Sequence, residues 1–183
     1  MKKPRAKVSQ YKTVFKGQTF EVKRAVATMP SGKKEIFETM HRPPSVMILP
    51  INDKKQLLLI REYRSRIKKY IWALPAGKVK IKEGETPIRA AQRELREEAG
   101  VRAKKITLLR LAEGGQSWVW RRYAYIATKL VPDRLTKDED EDIKVVPVSI
   151  DRAFEMIKKD EIYNENMAYM IFRLWAQRKK FGL

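Results

Sequence analysis

The sequence contains no cysteine and only one histidine, His41, among its 183 residues. The absence of cysteine excludes disulfides, thiol nucleophiles and cysteine-ligated zinc. A single imidazole gives little basis for a histidine metal centre or a serine–histidine triad. Any catalytic chemistry in this chain is therefore expected to rely on carboxylates, hydroxyls and cationic side chains.

Long hydrophobic runs are also missing. No stretch of about 18 apolar residues occurs, so the sequence predicts no membrane span. The basic start MKKPR is not followed by the apolar segment of a secretory signal, which favours a cytoplasmic protein. With 43% hydrophobic residues, the chain is nevertheless rich enough to bury the core of one compact enzyme domain.

Acidic residues are scarce: 22 Asp and Glu stand against 41 Lys and Arg, for a formal net charge of +19. Such an excess attracts polyanionic substrates or nucleic acid, or reflects a generally charged surface. The basic residues are spread along the chain, and segment 61–70 comes nearest to interleaving them with aromatic residues. Nucleic-acid binding is therefore not the expected main role.

One segment has clear signals for the start and end of a helix. Thr86 is suited to the N-cap, Pro87 to the first helical position, and Gly100 to the left-handed residue after the C-terminus. These signals predict a helix over residues 87–99. The stripe expected to pack inward comprises Ile88, Ala91, Leu95 and Ala99.

Three glutamates, Glu94, Glu97 and Glu98, fall at i, i+3 and i+4 of this helix, so their carboxylates are expected to converge. Hard cations such as Mg²⁺ or Mn²⁺ prefer carboxylate oxygens and keep open positions for phosphate oxygens. The alternative is a solvated acidic face balanced by arginines. Spacing alone does not decide between them.

A longer pattern favours the metal site. Residues 85–101 read ETPIRAAQRELREEAGV, which resembles the signature of the Nudix hydrolases, G-x5-E-x7-R-E-U-x-E-E-x-G-U, where U is a bulky aliphatic residue. The match departs from that signature at its first glycine, because Val79 stands six positions before Glu85 and the natural substitute is Gly77. The loop before Glu85 is therefore expected to be two residues longer than the family pattern.

The remaining periodicity predicts strands around interspersed helices. One hairpin is expected from segments 19–26 and 35–40, and a second, buried on both faces, from 46–51 and 56–60. Further strands are predicted at 106–111, 118–130 and 143–150, and helices at 151–159 and 164–180. This pattern predicts an α/β class, which the resemblance specifies as a Nudix-type α/β/α sandwich with one mixed sheet and an N-terminal hairpin arm.

Within the family, the sequence resembles the ADP-ribose pyrophosphatase branch over nearly its whole length. Segments 20–24 and 34–38 are similar to the dimerising arm of that branch, and 60–64 and 72–77 to its substrate strand and the strand before the signature. Segment 138–142 resembles its acidic loop. The resemblance implies a dimerising arm at 1–41, a catalytic domain at 42–183 and a homodimer.

Site roles also follow from the resemblance. The implied metal ligands are Glu94, Glu97, Glu98 and the backbone carbonyl of Ala76. The water-activating base is expected to be Glu139, with Glu141, which could also add a metal ligand, as the second choice, because a carboxylate on a loop can stay unligated while the helix carboxylates hold metal. Glu98 is expected to be essential for catalysis. The substrate-binding candidates are Arg61 or Arg64 for phosphate, Phe20, Phe37 or Tyr63 for the base, and Gly115 beside the terminal ribose.

The implied function is metal-dependent hydrolysis of ADP-ribose or a related nucleoside diphosphate-sugar. Segment 111–118 lacks the proline that ADP-ribose enzymes of the family usually carry about sixteen residues beyond the signature glycine. ADP-mannose, GDP-mannose and dinucleoside polyphosphates therefore stay open as substrates. The alternative of a different class is a basic RNA-binding protein on the same fold, in which the three glutamates would have no reason to stay together.

Overall fold

The computed structural model describes residues 5–135 and 142–183. The strands, in chain order, are β1 (Lys7–Val8), β2 (Lys12–Lys16), β3 (Glu21–Thr28), β4 (Lys34–His41), β5 (Ser45–Pro50), β6 (Gln56–Arg64), β7 (Lys69–Ala73), β8 (Ala76–Lys78), β9 (Val101–Ala112), β10 (Trp118–Val119), β11 (Arg122–Pro132) and β12 (Ile143–Ser149). The helices are α1 (Pro87–Glu98), α2 (Ile150–Lys158) and α3 (Glu165–Gln177), with 3-10 turns at Ile81–Glu83 and Arg178–Phe181.

The chain divides into two compact units. One ends at Pro44 and also takes in Ala112–Arg122, and the other comprises Ser45–Leu111 and Tyr123–Leu183. The first unit holds a sheet of order β1-β3-β4-β10, with β2 also paired to β3. Strands β3 and β4 pair antiparallel from Glu21 opposite His41 to Thr28 opposite Lys34, which confirms the first predicted hairpin.

The second unit holds two sheets, of order β8-β5-β11-β9 and β12-β6-β7. The prediction that β5 and β6 form a hairpin is wrong, because they lie in different sheets and meet only at the bridge between Ile51 and Leu57. The paired segments of the predicted hairpin, 46–51 and 57–60, are continuously apolar, and such segments have no polar face to specify their partners. The α/β class is confirmed, but the strands divide among three sheets rather than one.

The strand predicted over 118–130 is two strands. The backbone of Trp118 and Val119 in β10 pairs parallel with the end of β4, whereas β11 joins a sheet of the second unit. The break at residues 120–121 is therefore a change of sheet. Periodicity alone cannot reveal it, because aromatic residues stand on both sides of the break.

Two apolar clusters form the core of the second unit. The larger joins α2 and α3 to the sheets through buried residues that include Leu49, Leu59, Ile126, Met156, Met167, Ile171 and Leu174. The smaller lies under α1 and includes Val46, Ile48, Ala90, Ala91, Leu95 and Ala127. Cutting a fully buried leucine such as Leu95 to alanine would cost about 2–5 kcal/mol of unfolding free energy. The methionines of α3 belong to this core, as predicted.

Helix α1 begins and ends at the predicted signals. The Thr86 hydroxyl accepts a hydrogen bond from the Arg89 amide at 3.3 Å, and Gly100 has the left-handed φ of 67°. The prediction for Ile88 is wrong, since its side chain is 53% exposed. At about 100° per residue, the buried face is centred on Ala91 and Glu94, which leaves Ile88 at its edge.

The two C-terminal helices also match their predictions. The side chains of Ser149 and Asn164 cap α2 and α3 by accepting hydrogen bonds from the amides of Arg152 and Met167. Helix α3 ends at Gln177, three residues earlier than predicted, where a 3-10 turn replaces it. No helix within residues 5–135 and 142–183 is long and apolar enough to cross a membrane.

Candidate active site

One guanidinium, that of Arg93 on α1, connects three carboxylates. Its Nε donates to Glu85 Oε1 at 2.8 Å, and its Nη1 donates to Glu94 Oε1 at 2.6 Å and to Glu97 Oε2 at 2.9 Å. The hydrogen bond to Glu85 is the largest influence on the pKa of Arg93 and raises it. Arg93 therefore stays charged and holds together acidic groups that would otherwise repel one another.

The loop before α1 is tied to the same guanidinium. Glu85 Oε2 accepts a hydrogen bond from the Lys80 amide at 2.8 Å, and Arg93 Nη2 donates to the Lys78 carbonyl at 3.0 Å. The hydrogen bond from Arg93 is the largest influence on the pKa of Glu85 and lowers it. Partial burial opposes this effect, and the hydrogen bond from the Lys80 amide adds to it. Although the loop departs from the family spacing, its 3-10 turn and Gly84, with φ of 71°, bring Glu85 back to Arg93.

Glu94 is buried against the main chain of β8. A Cβ added at Gly77 would lie 1.8 Å from Glu94 Oε1, so this carboxylate occupies the space that any other side chain at position 77 would need. Burial is the largest influence on the pKa of Glu94 and raises it, partly offset by Arg93. The lack of a side chain at Gly77 therefore lets the Glu94 carboxylate approach the strand backbone.

Glu98 contacts the neighbouring residue of β8. Its Oε2 accepts a hydrogen bond from the Ala76 amide at 2.9 Å. Helix α1 and strand β8 therefore place Glu94, Glu98 and the backbone of residues 76–77 in one place. A role for the Ala76 carbonyl as a metal ligand stays a prediction, because the observed contact uses the N–H of that residue.

The donor set of this site suits a hard divalent cation. Glu94 and Glu98 lie against the backbone of residues 76–77, and Glu97 shares the Arg93 guanidinium with Glu94. Mg²⁺ and Mn²⁺ prefer oxygen ligands of this kind. Within the described ranges, no three acidic or imidazole side chains form a ready-made metal centre. Glu94 and Glu97 each accept the hydrogen bond from Arg93 with one oxygen, so the second oxygen of each carboxylate is not engaged by that contact.

Two arginines predicted to bind phosphate lie on β6 with different surroundings. The guanidinium of Arg61 lies over the ring of its cross-strand partner Trp72, 4.9 Å from the centroid. Arg64 forms a 2.8 Å ion pair with the buried Glu62. Because side chains alternate along a strand, Arg61 and Arg64 face opposite sides of the sheet and cannot hold one phosphate together.

The other predicted site residues belong to the first unit or lie outside the described residues. Phe20, Phe37 and Gly115 belong to the first unit, where Phe20 packs on Phe15 with ring centroids 5.7 Å apart. No described atom lies within 4 Å of a Cβ built on Gly115. Glu139 and Glu141 lie outside the described residues. Their roles stay predictions.

Comparison with known proteins shows the family. The protein-family model described as "NUDIX domain" matches residues 41–170 of this chain. The chain is 31% identical over 172 residues to ADP compounds hydrolase NudE of Escherichia coli (strain K12), covering 90% of each chain. It is 26% identical over 174 residues to the ADP-ribose pyrophosphatase of Bacillus subtilis (strain 168), covering 93% of each.

A solved structure agrees with these relatives. The crystal structure of an ADP compounds hydrolase superposes with a TM-score of 0.83 at 26% identity, covering 98% of this chain and 97% of that one. The chain belongs to the Nudix family. Nudix hydrolases generally need a divalent metal ion, which agrees with the carboxylate site on α1. The family predicted from residues 85–101 is thereby confirmed.

Two features of this Nudix site escape the sequence reasoning. The first is the bridging role of Arg93. In the sequence, the alternating charges of α1 suggest only ordinary ion pairs between residues three or four positions apart on a helix. The second is the contact between Gly77 and Glu94, for which the only signal is that a glycine stands near the position where the signature expects one.

In the first unit, Gly114 rather than Gly115 is the sterically required glycine, since a Cβ there would lie 1.6 Å from the Trp118 carbonyl oxygen.

Replacing Gly77 by alanine is expected to lower kcat on the order of 10²-fold, because the added methyl would displace the Glu94 carboxylate by an ångström or more. Steady-state hydrolysis measures the effect. The matched control is Gly32→Ala, in the turn between β3 and β4, where alanine would have to adopt the left-handed φ of 83° but its Cβ would meet no neighbouring side chain or backbone within 4 Å. The control is expected to lose about 1 kcal/mol of stability and keep its turnover. Equal turnover in the two variants would contradict the role of Gly77.

Proposed function

We propose that this Nudix pyrophosphohydrolase cleaves the diphosphate bond of ADP-ribose or a related nucleoside diphosphate-sugar. Water attacks one phosphorus, and the products are AMP, or another nucleoside monophosphate, and a sugar phosphate. The observation that carries the proposal is the intact carboxylate set of α1 against the backbone of residues 76–77. The relatives named ADP-ribose pyrophosphatase and ADP compounds hydrolase, each matched over at least 90% of both chains, support the substrate class.

Mg²⁺ or Mn²⁺ is the proposed cofactor, with Glu94, Glu97, Glu98 and the Ala76 carbonyl as its ligands. When bound, the ion would neutralise the negative charge of the phosphate oxygens during hydrolysis. Glu98 is oriented for this task by the Ala76 amide, and Glu94 by its close contact with Gly77. The role of Arg93 is to keep the carboxylates charged and together before they bind the ion.

The proposed base that takes the proton from water is Glu139, with Glu141 as the alternative. Carboxylates that hold a metal are poor proton acceptors, whereas a loop carboxylate can remain available until substrate arrives. Both residues belong to the acidic segment 138–142, in a chain whose other charges are mainly basic. The positive charge of the rest of the chain favours the ionised form of these carboxylates.

Arg61 is the proposed phosphate ligand of β6. It has no carboxylate partner within residues 5–135 and 142–183, and its planar fork can donate two hydrogen bonds to one phosphate. Arg64 is less available, since it neutralises the buried Glu62. The aromatic slot for the base is proposed to use Phe20, Phe37 or Tyr63, with Gly115 beside the terminal ribose.

ADP-ribose is expected to be hydrolysed faster than ATP or diadenosine tetraphosphate, because both closely matched relatives are named for ADP compounds. The measurement is the rate of nucleotide product formation from each compound in Mg²⁺, followed by ion-exchange chromatography, with GDP-mannose and ADP-mannose alongside. A preference for diadenosine tetraphosphate would overturn the substrate proposal but leave the fold and the metal site unaffected. RNA binding without hydrolysis of any of these compounds would favour the binding-protein alternative.

A homodimer joined through residues 1–41 is the proposed assembly. The cross-strand partners Val26 and Ile36 are 42% and 65% exposed on one face of the first sheet, an apolar surface that a second copy would cover. Light scattering at micromolar concentration is expected to give twice the chain mass, and Ile36→Lys to shift it toward the monomer. The control is Leu108→Lys, a 50% exposed leucine of the second unit. A monomeric, fully active wild type would contradict the proposal.

A further inference from the structure

Two arginines gather around one tryptophan in the unit that contains the N-terminal sheet. The guanidinium carbon of Arg42 lies 4.4 Å from the centroid of the Trp120 ring, and that of Arg122 lies 4.9 Å from it. Both distances are within the range of cation–π contacts. All three side chains are partly buried, so two positive charges are concentrated on one ring near the surface.

The N–H of this indole has no acceptor. Trp120 Nε1 is buried and makes no hydrogen bond to any described residue. Leaving a buried donor unpaired is costly, and nearly all such groups in native proteins have a partner. Trp175 provides an internal comparison: Arg178 lies over its ring at 4.6 Å, but its N–H donates to Asp151 Oδ1 at 2.9 Å. Trp120 resembles Trp175 in its stacked arginine but has no hydrogen-bond acceptor for its N–H among the described residues.

Arg42 also has unused hydrogen-bonding capacity. Among residues 5–135 and 142–183, its guanidinium has no carboxylate or carbonyl acceptor, and the contact recorded for it is the Trp120 ring. The neighbouring Arg121 differs, because it forms a 2.8 Å ion pair with Glu113. The guanidinium of Arg42 therefore keeps its N–H donors available beside the unpaired indole N–H.

Main-chain hydrogen bonds hold this cluster in place. The Arg42 amide donates to the Val119 carbonyl at 3.0 Å, and the Met40 amide donates to the Ser117 carbonyl at 2.8 Å. The turn before β10 is tight, because a Cβ at Gly114 would lie 1.6 Å from the Trp118 carbonyl oxygen. The backbone of residue 42 is therefore fixed against that of residue 119, and the side chains of positions 42 and 120 are positioned in advance of any ligand.

We propose that Arg42 and Trp120 form an oxyanion subsite that binds a phosphate group. Guanidiniums already cover the indole ring, so what the cluster offers is N–H donors and positive charge rather than a surface for stacking a base. The planar fork of Arg42 and the indole N–H would both donate to the phosphate oxygens. The phosphate is either inorganic phosphate or a phosphate group of a nucleotide substrate, and both present the same oxygens.

The test observes the indole N–H directly by ¹H–¹⁵N NMR, in EDTA so that no metal binds at α1. The chain has four tryptophans, and Trp120→Phe assigns the relevant signal because it removes the indole N–H while keeping an aromatic ring at that position. Titration with inorganic phosphate, against chloride at equal ionic strength, is expected to shift the Trp120 signal saturably. Arg42→Ala should weaken the phosphate affinity about tenfold or more, as loss of a charge-assisted hydrogen bond requires.

Matched variants and a second titration complete the experiment. Arg110→Ala is the control, since Arg110 lies over the Tyr169 ring at 5.5 Å in the other unit, and it should leave the phosphate affinity unchanged. If Arg42→Ala does not fold, Arg42→Gln keeps the stem and removes the charge. ADP-ribose in EDTA distinguishes the two sources: tighter binding than inorganic phosphate assigns the subsite to substrate, and weaker binding assigns it to free phosphate.

The result that overturns the proposal is a Trp120 signal that neither compound moves at millimolar concentration, or an affinity that Arg42→Ala does not change. Hydrolytic activity plays no part in this measurement. Failure of the subsite would therefore leave the proposed hydrolase unaffected, and loss of hydrolysis would not by itself count against the subsite.

Discussion

Replacing Glu98 by glutamine is expected to lower kcat by about 10²-fold or more at saturating Mg²⁺, with little change in stability. Losing groups that merely support a metal ligand costs 10–100-fold, so losing a ligand should cost at least as much. The glutamine oxygen can still accept the hydrogen bond from the Ala76 amide, which limits the change in unfolding free energy to about 1 kcal/mol. Steady-state kinetics and thermal unfolding measure the two effects separately.

The matched control for Glu98→Gln is Glu83→Gln, on the 3-10 turn before α1, where the side chain is 70% exposed. That variant removes the same charge from the same neighbourhood but not from the carboxylate set, and it should keep wild-type turnover. Chelation of the divalent ion should abolish the activity of the wild type and of Glu83→Gln. Full activity of Glu98→Gln at saturating Mg²⁺ would show that the site on α1 is assigned incorrectly.

The second large effect is expected at Glu139. If this residue is the base, Glu139→Gln should lower kcat by roughly 10²–10⁴, the usual contribution of general acid–base catalysis, while KM changes little. Metal affinity should also be unchanged, because the proposed base is not a ligand in the resting enzyme. Single-turnover kinetics with ADP-ribose separates the chemical step from substrate binding.

Glu141→Gln, two residues along the same acidic segment, is the informative companion. A dead Glu141→Gln beside an active Glu139→Gln would assign the base to Glu141. Wild-type turnover in both variants would mean that neither carboxylate is the base and would return that role to the glutamates of α1.

Helix α1 illustrates what local chemistry can predict. Thr86, Pro87 and Gly100 each act within a few residues of their own position, by capping, by a preset φ and by access to the left-handed region. All three behave in the structure as their residue types suggest. The positions of the three glutamates along α1 follow from the helix itself, so the composition of the carboxylate set could be predicted.

Long-range contacts explain what was missed. The sequence predicts strands at 46–51 and 56–60, but segments 46–51 and 57–60 are apolar on both faces, and only the packing of the whole unit assigns them to different sheets. The burial of Glu94 likewise depends on Gly77, 17 positions earlier in the chain and on another strand. That burial turns the inner face of α1 toward Glu94 and leaves Ile88 exposed.

Analysis of the products formed from ADP-ribose is the most direct test of metal-dependent diphosphate cleavage at α1. Ion-exchange chromatography after incubation with Mg²⁺ is expected to show AMP and ribose 5-phosphate in equal amounts, no release of free phosphate, and no reaction in EDTA or with Glu98→Gln. The central claim would be contradicted if the folded wild-type protein left ADP-ribose, ADP-mannose and GDP-mannose intact in both Mg²⁺ and Mn²⁺, or if it cleaved ADP-ribose equally fast in EDTA.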